Sequence, residues 1–226
     1  MKNIYLTIVL LALGIGTMAQ TSVWDGKREL WTRGNGTEES PYLIESAQNL
    51  AFLSYMCACG FDTYDMYFKL TTDIDLNGSE DLPWQPIGDA YYTDYETGCT
   101  ARVLNYDSHF SGHFDGDGHR IYNIYVDAEY GGLFGFITNK NATIENVKIV
   151  NGYIHGKSDT GGIVGNLGSE NSESEVCFCN NYGDCFGLYV GGIVGTMSKS
   201  SIHDCTNEGN ILSSAYAAGI LAQNEY

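Results

Sequence analysis

The sequence is short of basic residues, which limits the partners that the protein can have. Only 11 of its 226 residues are Lys or Arg, against 28 Asp or Glu, so the formal net charge is −17. A phosphate backbone or an anionic membrane is bound through clustered Lys and Arg side chains, and this chain has too few of them to build such a patch. The composition therefore predicts that nucleic acid is not a partner.

Long hydrophobic runs are also missing. The longest one, from Ile4 to about Gly16, is shorter than the roughly 20 apolar residues that span a bilayer. It follows Lys2 and ends before Thr17 and Ala19, and this pattern is typical of a secretory signal peptide that is cleaved after Ala19. We therefore expect a protein without a membrane span that is secreted or held at the cell surface.

Helical periodicity is absent from Phe110 onward, and a four-residue cassette recurs in its place. Gly-Leu-Phe-Gly, Gly-Ile-Val-Gly, Gly-Ile-Val-Gly and Gly-Ile-Leu-Ala follow one another, the first three 30 residues apart and the fourth after 27. Their glycines are Gly132, Gly135, Gly162, Gly165, Gly192, Gly195 and Gly219. A fixed interval of this length is typical of stacked repeats, in which neighbouring units bury one another's apolar faces.

The segments between the cassettes repeat in step with them. Val147, Cys179 and Cys205 occupy equivalent positions, and so do the apolar residues inside the cassettes: Leu133, Ile163, Ile193 and Ile220. About three short strands per unit, with no room for a helix, predict an all-β, right-handed parallel β-helix whose coils stack about 4.8 Å apart. A β-propeller is the other candidate fold, but its blades need about 40 residues.

The cassettes, the segment Cys205-x-Asn207-x-Gly209-x-Ile211 and the stretch from Phe110 to Ile121 resemble the GLUG-repeat proteins. Those are bacterial surface and adhesin-like proteins, and the repeat also occurs beside the catalytic domain of IgA-specific metallopeptidases. Residues 36–88 resemble the usual lead-in to such arrays. The resemblance implies a surface scaffold and leaves its ligand open.

The lead-in contains the one helix that the sequence predicts. Ser46 is a suitable N-cap for a helix over residues 47–58, with Gly60 as its stop, and this helix would cover the open end of the β-helix. We expect a signal peptide over 1–19, a lead-in with the capping helix over 20–66 and repeats over 67–226. No polar capping element follows the last cassette, so the array is expected to be incomplete at its C-terminus.

The cysteines do not predict a metal centre or a fixed set of disulfides. Seven remain after Ala19, so at least one thiol is unpaired, and Cys179, Cys185 and Cys205 stand where core residues are expected. Cys179 and Cys205 could form a disulfide if they stack. His113, Asp115, Asp117 and His119 share one parity, but the glycines between them favour a turn. We expect neither a metal nor a cofactor.

The predicted register also gives an argument about catalysis. It places Glu145, Cys177 and His203 in one outward column and Asn146, Phe178 and Asp204 in the next, without a carboxylate cluster. We therefore expect a protein that is not an enzyme. The alternatives are a polysaccharide-acting β-helix enzyme and a non-catalytic portion of a larger surface peptidase.

Tyrosine is abundant, with 17 copies, and it suggests a binding site. Tyr91, Tyr92 and Tyr95 lie in an acidic, aromatic insertion between two repeat-like motifs. Long loops on rigid scaffolds often bind ligands, and a tyrosine ring offers a flat face for sugar stacking. The sequence predicts a ligand site here for an extracellular glycan or a host or cell-surface protein.

Overall fold

A computed structural model describes residues 21–89, 91–94, 99–102, 109–137, 141–168 and 173–225, with only the backbone for 91–94 and 99–102. The predicted signal peptide and Tyr95 lie outside the described residues. The elements follow in this order: β1 Ser22–Val23, β2 Tyr42–Ile44, α1 Ala47–Ala58, β3 Tyr67–Leu70, β4 Ile74–Asp75, β5 Tyr91–Asp94, β6 Cys99–Arg102, β7 His113–Asp115, β8 Arg120–Ala128, β9 Phe134–Ile137, β10 Thr143–Glu145, β11 Lys148–Gly161, β12 Val164–Leu167, β13 Glu175–Cys177, β14 Asn180–Asn181, β15 Asp184–Gly191, β16 Val194–Ser198, β17 Ser201–His203, β18 Thr206–Asn207, β19 Ile211–Ala218 and β20 Leu221–Glu225.

The strands form a parallel β-solenoid of about five turns, as the repeat predicts. A six-stranded sheet runs β2-β3-β7-β10-β13-β17, and a four-stranded sheet runs β9-β12-β16-β20. An eight-stranded sheet runs β1-β4-β8-β11-β14-β18, with β15 joined to β11 and β19 joined to β15. The coils that begin at β7, β10, β13 and β17 pass through all three sheets in turn. The hairpin of β5 and β6 is antiparallel and forms a sheet of its own.

The predicted interior columns are confirmed. Leu133, Ile163 and Ile193 are fully buried in successive coils, and backbone hydrogen bonds link Ile163 to Ile193 and Ile193 to Ile220. In the second column Asn180 N donates to Val147 O and Thr206 N donates to Cys179 O, which sets Val147, Cys179 and Cys205 one above another. These side chains belong to one continuous hydrophobic core.

The cassette glycines are required because neighbouring backbone passes very close to them. A Cβ on Gly165 would lie 2.8 Å from Gly135 O, and one on Gly195 would lie 2.5 Å from Gly165 O. At Gly192 the nearest atom would be Gly219 O at 2.2 Å, whereas a Cβ on Gly219 meets nothing within 4 Å. These short distances therefore result from the close stacking of the coils. Gly219 has no such contact because no described strand stacks on the far side of its coil.

A buried asparagine explains the Asn-x-Gly spacing of the repeat. Asn181 is fully buried, and its side chain accepts from Gly183 N at 2.9 Å and donates to Gly183 O at 2.9 Å. Its amide also donates to Asn207 Oδ1 at 2.9 Å, and Asn207 in turn donates to Gly209 O at 3.0 Å. This asparagine ladder fixes the same turn in two adjacent coils and satisfies polar groups that would otherwise be buried alone.

The helix begins and ends as the sequence predicts. Ser46 accepts a hydrogen bond from Asn49 N at 3.1 Å and caps α1. Leu50 and Leu53 are fully buried in the core that the solenoid strands share. The helix follows β2, which is the edge strand of the six-stranded sheet.

One corner of the solenoid is made by residues with positive φ. Asn146, Phe178 and Asp204, predicted to stack, have φ values of 57°, 53° and 52°. Asparagine and aspartate tolerate this left-handed conformation better than a bulky aromatic residue does. Phe178 occupies it while half of its side chain faces solvent, at 51% exposure.

The cysteines do not pair in the part of the chain that the structure describes. Free thiols are found at Cys57, Cys59, Cys177, Cys179, Cys185 and Cys205. The predicted core positions of Cys179 and Cys185 are confirmed, while Cys205 is only partly buried. A hydrogen bond from the Cys179 thiol lowers the pKa of Cys205 to about 7 and raises that of Cys179.

Candidate functional site

Three aromatic rings stack on the outward face of the eight-stranded sheet. The centroids of Tyr125 and Tyr153 lie 5.0 Å apart with planes at 18°, and those of Tyr153 and Phe186 lie 4.7 Å apart at 25°. Tyr125 and Tyr153 are register partners in β8 and β11, and Phe186 pairs with Leu212 in β19. We call Tyr125, Tyr153, Phe186 and Leu212 the aromatic face.

The aromatic face is open to solvent. Tyr153 is 40% exposed and Leu212 is 65% exposed. They border a depression of about 500 Å³ that is also lined by His155, Lys157, Phe186, Leu188, Ser213 and Ser214. Large apolar side chains are therefore held at the surface beside groups that can form hydrogen bonds.

An irregularity in three neighbouring strands shapes this depression. The register of β11 with β15 shifts after Gly156, and that of β15 with β19 shifts after Gly187. Thr160 Oγ1 joins the two strands by accepting from Gly156 N and donating to Phe186 O, both at 2.9 Å. Gly187 has φ 152°, and a Cβ there would lie 2.4 Å from Gly156 O. The bulge thus turns Leu188 and Ser213 toward the rim of the depression.

A polar pair lies beside the aromatic stack. His155 Nδ1 is 2.8 Å from Asp127 Oδ1, and both residues are register partners in β11 and β8. The pair leaves one imidazole nitrogen available at the rim of the depression. Ser213 and Ser214 donate to the carbonyl oxygens of Leu188 and Gly187, and Ser213 Oγ also accepts from Ala215 N. Each hydroxyl oxygen therefore keeps at least one lone pair that can accept from a ligand.

The six-stranded sheet carries a second, charged outward face. Its cavity of about 340 Å³ lies between Tyr67, His113 and the carboxylates of Asp115 and Glu145. Lys69 Nζ contacts Asp115 Oδ2 at 3.3 Å and Asp117 Oδ1 at 3.0 Å, and the hydrogen bond to Asp117 is the main cause of a raised pKa at Lys69.

The expectation that no carboxylates gather across the coils is wrong. The predicted column of Glu145, Cys177 and His203 is confirmed, but the preceding coil adds Asp115 directly beside Glu145. Burial and then the charges of Asp115 and Glu175 raise the pKa of Glu145. The sequence did not reveal this row because the segments whose spacing repeats begin after the first cassette and leave β7 out.

His113 and Asp115 lie in β7, the expected turn follows at Asp117 and Gly118, and the two histidines bind separate partners. His113 Nδ1 lies 2.8 Å from Thr143 Oγ1, and its ring stacks on Tyr67 at 4.2 Å. Asp117 has φ 49°, and His119 Nδ1 lies 3.1 Å from Oδ1 of Asp73, which directly precedes β4. The four predicted candidates are therefore not brought together.

The structure does not test the tyrosine site predicted in the insertion. Tyr91 and Tyr92 lie in β5, paired with Arg102 and Ala101 of β6, and only their backbone is described. Tyr95 lies outside the described residues. That site stays a prediction, separate from the aromatic face.

Sequence reasoning missed the aromatic face, although its residues are visible in the sequence. Tyr125, Tyr153 and Phe186 stand seven, nine and six residues before their cassettes, so no constant offset marks them. The offset varies because Phe186 is the register partner of His155 and not of Tyr153, and because the bulges change the length of the strand before the cassette. A search for aromatic residues at outward strand positions ahead of each cassette could have found them.

Comparison with known proteins agrees with this architecture. The family model of the GLUG motif matches residues 186–212, which hold the third cassette and the Cys-x-Asn-x-Gly-x-Ile segment. The chain carries the GLUG repeat. The GLUG match runs from Phe186 to Leu212, so it begins and ends on the aromatic face.

Two curated proteins are similar to this GLUG-repeat chain over part of their length. One, provisionally named a Gly-rich membrane protein, from Evansella cellulosilytica, is 32% identical over 139 residues, 59% of this chain and 14% of that protein. The other, Halomucin from Haloquadratum walsbyi, is 30% identical over 173 residues, 75% of this chain and 2% of that protein. The chain therefore spans a small fraction of either relative.

A solved structure shares the fold. A crystal structure of a Bacteroides ovatus protein, provisionally named an immunoglobulin A1 protease, superposes with a TM-score of 0.54 at 22% identity. The superposition covers 85% of this chain and 64% of that one. Within the described ranges, no helix has the length and apolarity needed to cross a membrane.

Proposed function

We propose that this chain is an exported, non-catalytic GLUG-repeat scaffold at the cell surface or in secreted form, which binds a neutral glycan on its aromatic face. The observation that carries the proposal is the stack of Tyr125, Tyr153 and Phe186 beside an open depression. A rigid row of exposed rings on a solenoid costs little conformational entropy when a ligand binds.

The chemistry of this face favours a sugar chain. The planes of Tyr125, Tyr153 and Phe186 cover one another, so the C–H groups of a pyranose ring would pack on the exposed edges of these rings. The sugar hydroxyls need hydrogen-bond partners such as His155, Ser213 and Ser214. The formal net charge of −17 repels sulfated or uronic-acid polymers, which favours a neutral glycan.

The surface location has separate support. The N-terminal hydrophobic run has the length and flanks of an export signal. One similar protein is named a membrane protein and another Halomucin, and these names agree with a protein outside the cytoplasm.

A binding screen tests the proposal. The chain without residues 1–19 is applied to an array of neutral glycans, anionic glycans and host cell-surface proteins. Tyr153→Ala combined with Phe186→Ala is expected to abolish binding to neutral glycans, while Tyr216→Ala retains it. Tyr216 is a suitable control because it is 61% exposed and stacks on Tyr189 in the same sheet, outside the depression.

Two results would contradict the assignment. If the chain bound only the proteins on the array, its ligand would be a protein and not a glycan. Glycan binding that is lost in a variant with Tyr91, Tyr92 and Tyr95 changed to Ala, and kept in the Tyr153 and Phe186 variant, would move the site to the insertion.

A second candidate function, polysaccharide cleavage, is favoured by the carboxylate row of Asp115, Glu145 and Glu175. A raised pKa at Glu145 suits a general acid, and a second carboxylate is needed nearby. We expect no reducing ends to be released from any polysaccharide that binds. Release that is abolished by Glu145→Gln would establish the enzyme instead.

A further inference from the structure

Three different metal-ligating side chains converge on the outward face of the six-stranded sheet. Glu175 and Cys177 stand two residues apart in β13, so both point outward, and His203 of β17 is the register partner of Cys177. Their ligand atoms all lie within 4.8 Å of one another. Two adjacent coils thus supply one carboxylate, one thiol and one imidazole to a single point.

The imidazole is oriented by a neighbouring carboxylate. His203 Nδ1 lies 2.8 Å from Asp204 Oδ2, and His203 Nε2 lies 2.6 Å from Glu175 Oε1. A carboxylate on one ring nitrogen is the usual arrangement around a metal-bound histidine, because it fixes the tautomer and the direction of the free lone pair. Asp204 therefore aims Nε2 at the point where Glu175 and Cys177 meet.

We propose that Glu175, Cys177 and His203 bind one divalent transition-metal ion of the zinc class. A thiolate with an imidazole and a carboxylate is a ligand set for Zn²⁺ and Co²⁺, whereas Ca²⁺ and Mg²⁺ take oxygen ligands. Three protein ligands leave the fourth tetrahedral position to water.

Binding requires a small movement and the loss of protons. Ligands at about 2.0–2.3 Å from a tetrahedral zinc ion lie about 3.3–3.7 Å apart, so the contact between His203 and Glu175 must open. Both side chains can move because they are 44% and 39% exposed. The Cys177 thiol and the imidazolium lose their protons as the metal binds, and these are released to solvent.

The metal would join the last two coils that the structure describes. Cys177 lies in β13 and His203 in β17, the edge strand of the six-stranded sheet. A shared ion therefore cross-links the terminal coil to the one before it. The metal site is on a different sheet from the aromatic face. A failure of the glycan proposal would therefore leave the metal proposal unaffected, and the reverse also holds.

The test uses the chain without residues 1–19, kept reduced, with Co²⁺ and Zn²⁺ as probes. We expect one equivalent of Co²⁺ to give a thiolate-to-metal charge-transfer band that Zn²⁺ displaces, and Zn²⁺ to raise the unfolding temperature. Cys177→Ser is expected to remove the band, and His203→Gln to weaken binding at least tenfold. Asp204→Asn, which acts through His203, is expected to weaken it about tenfold.

Two control variants distinguish metal binding at this site from metal binding by other thiols or histidines. Cys59→Ser changes an exposed thiol, and His155→Gln changes a histidine that also pairs with a carboxylate, so both should bind as the parent does. Unchanged melting curves without metal show that the variants fold. The proposal is overturned if no thiolate band forms, or if Cys177→Ser and His203→Gln bind as tightly as the two controls.

Discussion

The ring of Tyr153 lies on the ring of Tyr125, with centroids 5.0 Å apart and planes inclined by 18°. The two residues are 28 positions apart in the sequence and meet because β8 and β11 are parallel neighbours in register. Their separation is close to the strand spacing of about 4.8 Å. Stacking of coils thus turns a repeated sequence position into a continuous aromatic surface.

The cassette glycines give a matched test of coil stacking. Gly192→Ala is expected to destabilise the protein by about 3 kcal/mol, because the new Cβ would overlap Gly219 O and Asn207. Gly219→Ala should change stability by less than about 0.5 kcal/mol, since nothing lies within 4 Å. Urea unfolding of both variants measures this. Equal effects at the two positions would contradict the stacking argument.

The buried asparagine is expected to stabilise the repeat. Asn181→Ala leaves Gly183 N and the Asn207 amide without their partner and should cost about 2–3 kcal/mol of unfolding free energy. Asn180→Ala is the control, because its side chain is partly exposed and donates to Thr206 Oγ1. If Asn181→Ala lowered the unfolding free energy no more than Asn180→Ala does, the asparagine ladder would not be needed for stability.

The corner at Phe178 is strained and can be relieved. Phe178→Asn should raise the unfolding free energy by about 0.5 kcal/mol, because asparagine accepts a φ of 53° more readily than phenylalanine does. Asn146 already occupies the equivalent position at 57°. Thermal unfolding is a suitable measurement. A lower melting temperature would mean that the contact of Phe178 with His203 outweighs the backbone strain.

The burial of His113 predicts that the folded protein loses stability in mild acid. Burial lowers the pKa of His113 below its usual 6.5, so the unfolded chain binds a proton there that the folded protein does not. The loss begins as pH falls through 6.5 and is complete below the pKa of the folded state. His113→Gln should therefore lose less stability than the parent between pH 7 and pH 5. Identical curves for parent and His113→Gln would refute the assignment.

The sequence predicted the elements whose spacing is constant. The cassettes, the column of Val147, Cys179 and Cys205, and the helix after Ser46 all follow from fixed offsets or a local cap, and the structure contains them. The aromatic face was missed because it depends on register across coils whose strands differ in length through the bulges near Gly156 and Gly187. The carboxylate row was missed because Asp115 lies in β7, in a coil before the segments whose spacing repeats.

The cluster of Glu175, Cys177 and His203 could also be predicted only in part from the sequence. The column of Cys177 and His203 was predicted, but Glu175 joins it from two residues upstream on its own strand. The direction and length of the Glu175 side chain bring its carboxylate to the imidazole of His203. The spacing of residues in the sequence does not reveal this contact. Coil stacking is therefore predictable from sequence, whereas the chemistry on its outer faces requires the register of every strand.

The most direct test of the central claim is the affinity of the aromatic face for the neutral glycan found in the array, measured by calorimetric titration. Tyr153→Ala should weaken binding by at least about tenfold, since a stacked aromatic anchor of this kind contributes about 2 kcal/mol. Tyr216→Ala should bind as the parent does. Equal affinities for the parent, Tyr153→Ala and Tyr216→Ala would contradict the account, because the stacked rings would then not be the binding surface.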